Sequence, residues 1–252
     1  MCVIYLDKQP RPHYGSTYFK KVLHAVYQAE ATPVPSTEIF VMHISEGVLN
    51  APVLIGCGIA TAGFTAVGLK KMDLERIMTV SLLTSAFFIA SLIHVPMGPG
   101  SIHLVLNGLL GIVLGWSCFP SILTALLLQA VFFQYGGFTV LGVNTIIMAL
   151  PALCCYYLVR PWLRKNGKKR SIAAFAGGFM AILLSSLLMV LALITSDKGF
   201  FETAALIFAA HLPLMLVEGV TTMFAVLFLA KVQPDFLHDH YDISTNSTFT
   251  EK

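Results

Sequence analysis

Charge is what this sequence has least of. Only 12% of its 252 residues are Asp, Glu, Lys or Arg, half of the roughly 25% usual in soluble domains. So few charges could not cover the water-facing surface of a chain this long, which excludes an ordinary soluble enzyme, and the composition also excludes a disordered chain or a collagen. The five cysteines, Cys2, Cys57, Cys118, Cys154 and Cys155, contain no C-x-x-C and no framework spacing, so they read as packing residues. No G-x-x-x-x-G-K-[ST] loop is present, so the chain cannot grip ATP by that route. The His-Glu-x-x-His helix of a metalloprotease is absent too. The net charge of +3 is small and its basic residues lie between apolar runs, so no nucleic-acid partner is expected.

Residues 1–41 lack any continuous apolar stretch, and Ile39-Phe40-Val41 is a poor cleavage site, so they do not read as a signal peptide. They are mixed and polar, with Pro33 and Pro35 near their end. Residues 19–31 could form a short amphipathic helix.

What the sequence does have is apolar length: 56% hydrophobic residues and a mean hydropathy of +0.78. Seven runs can be marked, at about 51–69, 77–96, 103–118, 119–134, 140–160, 171–195 and 203–230. A bilayer-crossing helix needs about 20 apolar residues, with a range of about 17–25. Five runs reach that length. The third and fourth are short and touch at Phe119-Pro120, so they predict a tight helical hairpin. Helices rather than strands are expected, because the bilayer core has no water for unpaired backbone groups. The expected fold is an all-α polytopic membrane protein of about seven transmembrane helices. Residues 42–232 form its membrane domain and 233–252 a tail.

Loop charges orient it. With seven crossings, Lys70, Lys71, Arg76, Arg160, Arg164, Lys165, Lys168, Lys169, Arg170 and Lys231 share one side, and only Lys198 lies opposite. That asymmetry makes the basic side cytoplasmic, with the Arg160–Arg170 cluster near anionic lipid headgroups. The 42–50 segment and the 97–102 loop are then external, and His43, His94 and His103 converge on that face.

The segment Met42-His43-Ile44-Ser45-Glu46-Gly47 suggests chemistry. If the chain began at Met42, its α-amine, the His43 backbone nitrogen and the His43 imidazole could close fused chelate rings on one metal ion. A fourth nitrogen from His103 or His94 would complete a planar set, a geometry suited to Ni(II) or Cu(II).

This segment resembles the mature N-terminus of the CbiM/NikM family. So do His94-Val-Pro-Met-Gly-Pro-Gly-Ser-Ile-His103-Leu-Val-Leu-Asn-Gly-Leu-Leu-Gly and Gln134-Tyr-Gly-Gly-Phe-Thr-Val-Leu-Gly-Val-Asn144-Thr-Ile-Ile-Met148. The family comprises membrane-embedded substrate-binding components of energy-coupling factor (ECF) transporters for cobalt or nickel, and the resemblance covers 42 to about 232. It implies that Ni²⁺ or Co²⁺ is the transported substrate, with a planar nitrogen site leaning toward nickel. Its ligands would be the amine of Met42, the amide and imidazole of His43 and the imidazole of His103, with the N-terminal segment plugged into the external face. His94, Asn144 and Glu46 would stand beside the ligands. His94 has no counterpart among the family's ligands. Asn144 could hold a ligand's other nitrogen or the closing loop, or could make an interhelical hydrogen bond. Implied partners are ECF ATPase subunits, a transmembrane coupling (T) subunit and a small accessory membrane subunit. The implied location is the bacterial inner membrane, with the Met42 end external and the C-terminus cytoplasmic. The chain itself would be no enzyme.

One departure stands out. The family needs a free amine at the methionine, and here 1–41 precede it. The expectation is that translation starts at Met42, or that the extension is removed.

Other features have two readings each. Gly56 with Ala60, and Gly58 with Ala62 and Ala66, allow close helix packing, inside the bundle or against a coupling subunit. His211 and Glu218 share a helix face at membrane depth. They read as a polar pair satisfied within the bundle, or as a relay. His238 and His240 sit in the tail. The alternative classes are a haem-binding subunit, for which a reduced-minus-oxidised optical spectrum is the discriminator, and an intramembrane metalloenzyme.

Overall fold

The computed structural model describes residues 44–97, 100–165, 167–196 and 201–232, and for 94–97 and 100–103 their backbone alone. Met42, His43, Lys198, His238 and His240 lie outside the described residues. The elements run α1 (Ala51–Lys70), a 3-10 turn (Leu74–Arg76), α2 (Ile77–Leu92), β1 (His94–Met97) and β2 (Gly100–His103). They continue with α3 (Asn107–Leu114), a second 3-10 turn (Gly115–Ser117), α4 (Cys118–Phe133), α5 (Leu141–Leu163), α6 (Lys168–Ser196) and α7 (Phe201–Val232). The chain is an all-α polytopic membrane protein with one short β-hairpin.

Among the described residues, six stretches are long and apolar enough to cross a membrane: Ala51–Lys70, Leu74–Leu92, Asn107–Phe133, Leu141–Leu163, Lys168–Ser196 and Ala204–Val232. Of the seven runs expected, the third and fourth fall within a single one of these stretches. Its first part, α3, has eight residues, a length of about 12 Å against a hydrocarbon core of about 30 Å. The run expected at 77–96 ends at Leu92, and 94–103 form the antiparallel hairpin, with His94 opposite His103 and Met97 opposite Gly100. Pairing within the hairpin satisfies backbone groups that a lone strand would leave open.

The 107–133 stretch is not one straight rod. Gly115, at φ +54°, is in a conformation that L side chains rarely adopt, and the ring of Tyr156 fills the space where its Cβ would stand. Contacts on either side show that the chain reverses there. Arg76 Nη2 donates to the carbonyl of Val113 at 3.4 Å, and Lys71 Nζ lies 4.5 Å over the Trp116 ring. Trp116 Nε1 donates to the Tyr157 hydroxyl at 2.7 Å. So the 113–116 turn sits beside the end of α1 and the last turns of α5. The far end of α4 leads instead to Thr139, which bonds Glu46, just ahead of α1.

The remaining helices follow from those ends. Thr61 in α1 donates to the carbonyl of Gly142, at the start of α5. Asn50 caps α1, accepting from the Val53 N–H, while its own backbone and side chain donate to Ser196 Oγ and the Thr195 carbonyl at the end of α6. Helix α7 runs antiparallel to α6: Ala204 and Ile207 cluster with Met189 and Leu193, and Gly219 abuts Phe175. All ten basic residues named above therefore lie at one end of the bundle.

Burial grades from centre to edge. The 107–133 stretch is 83% buried and the α1 stretch only 11%. Of the small residues on α1, Gly58 meets Gly142 inside the bundle, whereas Gly56, Ala62 and Ala66 are exposed.

Candidate metal centre

Ile44 is the first described residue, and its neighbour in sequence is His43. Its side chain is buried among Leu49, Val140, Val143, Met189 and Ile207. Its backbone is gripped from both sides by one amide: Ile44 N–H donates to Asn144 Oδ1, and Asn144 Nδ2 donates to the Ile44 carbonyl, each at 3.1 Å. Asn144 is itself buried. A fully paired buried amide orients strongly, because leaving either group unpaired would cost about 1–3 kcal/mol. So Asn144 holds a backbone segment 100 residues away in sequence, and the interhelical hydrogen bond considered for it is not what these contacts show.

Two residues on, Glu46 fastens the same segment to the α4–α5 loop. Its carboxylate accepts from the Thr139 N–H at 3.0 Å. Hydrogen bonding to Thr139 holds the Glu46 carboxyl below the usual glutamate range although the residue is exposed. A carboxylate with a lowered value keeps this contact at neutral pH and loses it as pH falls through that value. The loop is shaped to receive it. Gln134 takes φ +57° to end α4. Gly137 takes φ +120°, and a Cβ there would stand 2.3 Å from Glu46 Cγ. Only glycine tolerates both that backbone and that approach.

The second segment enters from the hairpin. His94 and His103 occupy directly opposed register positions. After β2 the chain passes through Leu104, Val105 and Leu106 into α3. Leu106 has φ +55°, a left-handed conformation costing of order 1–3 kcal/mol for such a residue. What holds it is Glu218 of α7, whose side chain is completely buried. The Glu218 carboxylate accepts from the Val105 N–H and from the Leu106 N–H, the latter at 2.9 and 3.1 Å to its two oxygens. These are N–H groups at a helix start, where a negative charge is favoured.

Asn107 completes the attachment. Its Nδ2 donates to the Met148 carbonyl at 3.3 Å and to Ser185 Oγ at 3.0 Å. Met148 lies one turn beyond Asn144 on α5, about 6 Å along the axis. The segment behind His43 and the segment behind His103 are therefore fastened to the same helix one turn apart.

His211 and Glu218 are each satisfied within the bundle, through separate partners. His211 Nδ1 donates to the Ile207 carbonyl of its own helix at 2.7 Å, and Glu218 turns to the 105–106 backbone. Sequence reasoning did not single out Asn107 or Thr139. For Glu218 the signal was present, since a carboxylate within an apolar run marks a polar partner at depth, but its partner was misassigned. Among the described residues no group of three or more His, Cys, Asp or Glu side chains gathers as a metal cage.

Comparison with known proteins follows the same outline. The family described as "Cobalt uptake substrate-specific transmembrane region" matches residues 43–236. A "Putative metal transport protein" of Haemophilus influenzae is 39% identical over 204 residues, covering 78% of this chain and 97% of the relative. A "Putative fused nickel transport protein NikMN" of Archaeoglobus fulgidus is 30% identical over 205 residues, covering 78% of this chain and 68% of that protein. A solved "transition metal transporter" superimposes with a TM-score of 0.66 at 27% identity, over 75% of this chain and 93% of that one.

Proposed function

Since the chain belongs to the CbiM/NikM family of cobalt and nickel transport membrane components, we propose that it is the substrate-capture subunit of an ATP-driven ECF importer of Ni²⁺ or Co²⁺. The observation that carries this reading is the fastening of two separate segments to one helix: Ile44 on Asn144 and Asn107 on the Met148 carbonyl. Those segments bear His43 and His103. The metal's nitrogens are the amine of Met42, the amide and imidazole of His43 and the imidazole of His103. Two fused chelate rings from one terminus and a fourth nitrogen from elsewhere suit a planar ion, Ni²⁺ above all. The ligands bind deprotonated, so uptake into the site releases protons.

The working protein in this reading begins at Met42. In support, the family match starts at 43, and 78% of this chain spans 97% of the Haemophilus relative. The membrane is the bacterial inner membrane, with the basic end cytoplasmic, so the Met42 end is external. Partner ATPase subunits, a T subunit and a small accessory membrane subunit drive reorientation and release. The chain itself performs no hydrolysis.

Uptake tests the assignment. In a host stripped of its own nickel and cobalt importers, the chain begun at Met42 and expressed with its ATPase and T subunits is expected to accumulate radioactive nickel or cobalt. An ATPase subunit inactivated at its phosphate-gripping lysine abolishes that uptake. No uptake of either metal by the assembled complex, or uptake indifferent to the ATPase, would refute the reading.

Asn144 offers a narrower check. Asn144→Ala frees the backbone behind His43 while sparing every ligand. Residues that orient ligands typically contribute about 10–100-fold to metal affinity. A loss in that range is expected on titration with Ni²⁺, with the nickel absorption band unchanged in position.

A further inference from the structure

The ligand set just proposed leaves a buried carboxylate without a task. Glu218 is fully buried on α7, yet its partners are not side chains. They are the Val105 and Leu106 N–H groups, two and three residues after His103. Leu106 is the N-cap of α3 and is held left-handed. Without that carboxylate, the Val105 and Leu106 N–H groups lose the acceptor they share. The neighbouring anchor, Asn107, fixes the helix start, and Glu218 holds the two residues before it.

We propose that Glu218 is the positioning residue for His103: by capping α3 it fixes the backbone from which the fourth metal nitrogen is presented. This rests on the reading of His103 as a ligand. Glu218 touches no metal and acts through the 105–106 backbone alone. Its loss therefore removes the benefit of His103 and leaves the Met42–His43 chelate intact.

The test uses the full membrane domain with its tail, begun at Met42 and purified in detergent, with Ni²⁺ as probe. Affinity and the nickel absorption band are measured for the parent, His103→Ala, Glu218→Ala and the double variant. Glu218→Ala is expected to weaken binding 10–100-fold and to move the band toward that of His103→Ala. The double variant binds no more weakly than His103→Ala alone, because both changes remove one interaction. Glu218→Gln, which keeps one carbonyl acceptor, falls between parent and Glu218→Ala and serves where the alanine variant does not fold. Amide hydrogen exchange quickens at 105 and 106 in the Glu218 variants and is unchanged at 44.

A parental band and affinity in Glu218→Ala, or in Glu218→Gln if only that variant folds, overturn the proposal. So does a double variant whose loss is the sum of the two. If His103→Ala itself leaves binding unchanged, the ligand reading has failed and the proposal goes with it. If His103→Ala removes the band while Glu218→Ala does not, only the proposal has failed.

Discussion

A form of the protein that keeps residues 1–41 joined to Met42 is expected to bind neither Ni²⁺ nor Co²⁺ tightly. Extension turns the Met42 nitrogen from an amine into a peptide amide. An amine offers a lone pair to a metal at neutral pH. A peptide nitrogen has its pair delocalised into the carbonyl and must first lose a proton. In the proposed chelate the His43 nitrogen could do so, because the amine would flank it on one side and the imidazole on the other. Removing the amine takes away one of four nitrogens and the ring that makes deprotonation at His43 favourable, so two ligands fail together. Residues that merely orient a ligand contribute about 10–100-fold, and the loss here is expected to exceed about 100-fold for both ions. Competition titration of the two purified forms, side by side, measures it. Equal affinity for the two forms would remove Met42 from the site and leave the hairpin histidines as the place to look.

The fold was legible where one physical constraint acts alone. Run length against bilayer thickness marked α1, α5, α6 and α7, and the ten basic residues fell together at one end of the bundle as their spacing implied. Legibility failed where tertiary partners override a local rule. Residues 94–103 read as helix ends and an external loop, because the apolar runs 77–96 and 103–118 reach into them. The pairing of His94 with His103 across the hairpin leaves no mark in either run. The pause at Phe119-Pro120 was visible, but the reversal lies at Gly115–Ser117, where Tyr156 fills the space beside Gly115. Helix α3 is short because its start is set by Glu218 from α7, more than a hundred residues later. No spacing in the sequence could reveal that, nor that Asn144 would close on the backbone of Ile44. The glycine of Gln134-Tyr-Gly-Gly at 137 was visible as part of a motif. Its reason, the approach of Glu46, required the structure.

Between the two opposed histidines of the hairpin, removing His103 is expected to be far more damaging than removing His94. Both stand at the same rung, so register does not separate them. What separates them is their attachment. His103 is continuous with the segment fastened by Glu218 and Asn107, whose hydrogen bonds reach α5, α6 and α7. His94 follows α2, whose end is tied to α4 by the hydrogen bond from Gln129 Nε2 to Ser91 Oγ but whose apolar stretch is only 22% buried. A ligand's imidazole is effective in proportion to how little freedom it must surrender on binding, which favours the side with the buried anchors. His103→Ala is therefore expected to weaken Ni²⁺ binding by more than about 100-fold and to shift the nickel band. For His94→Ala the expected change is less than about tenfold, with the band in place, below the usual range for residues that orient ligands. Titration with parallel absorption spectra of the two variants begun at Met42 decides it. The reverse ranking would make His94 the fourth nitrogen, and the anchoring of the 104–107 segment would then serve the helix bundle and not the metal.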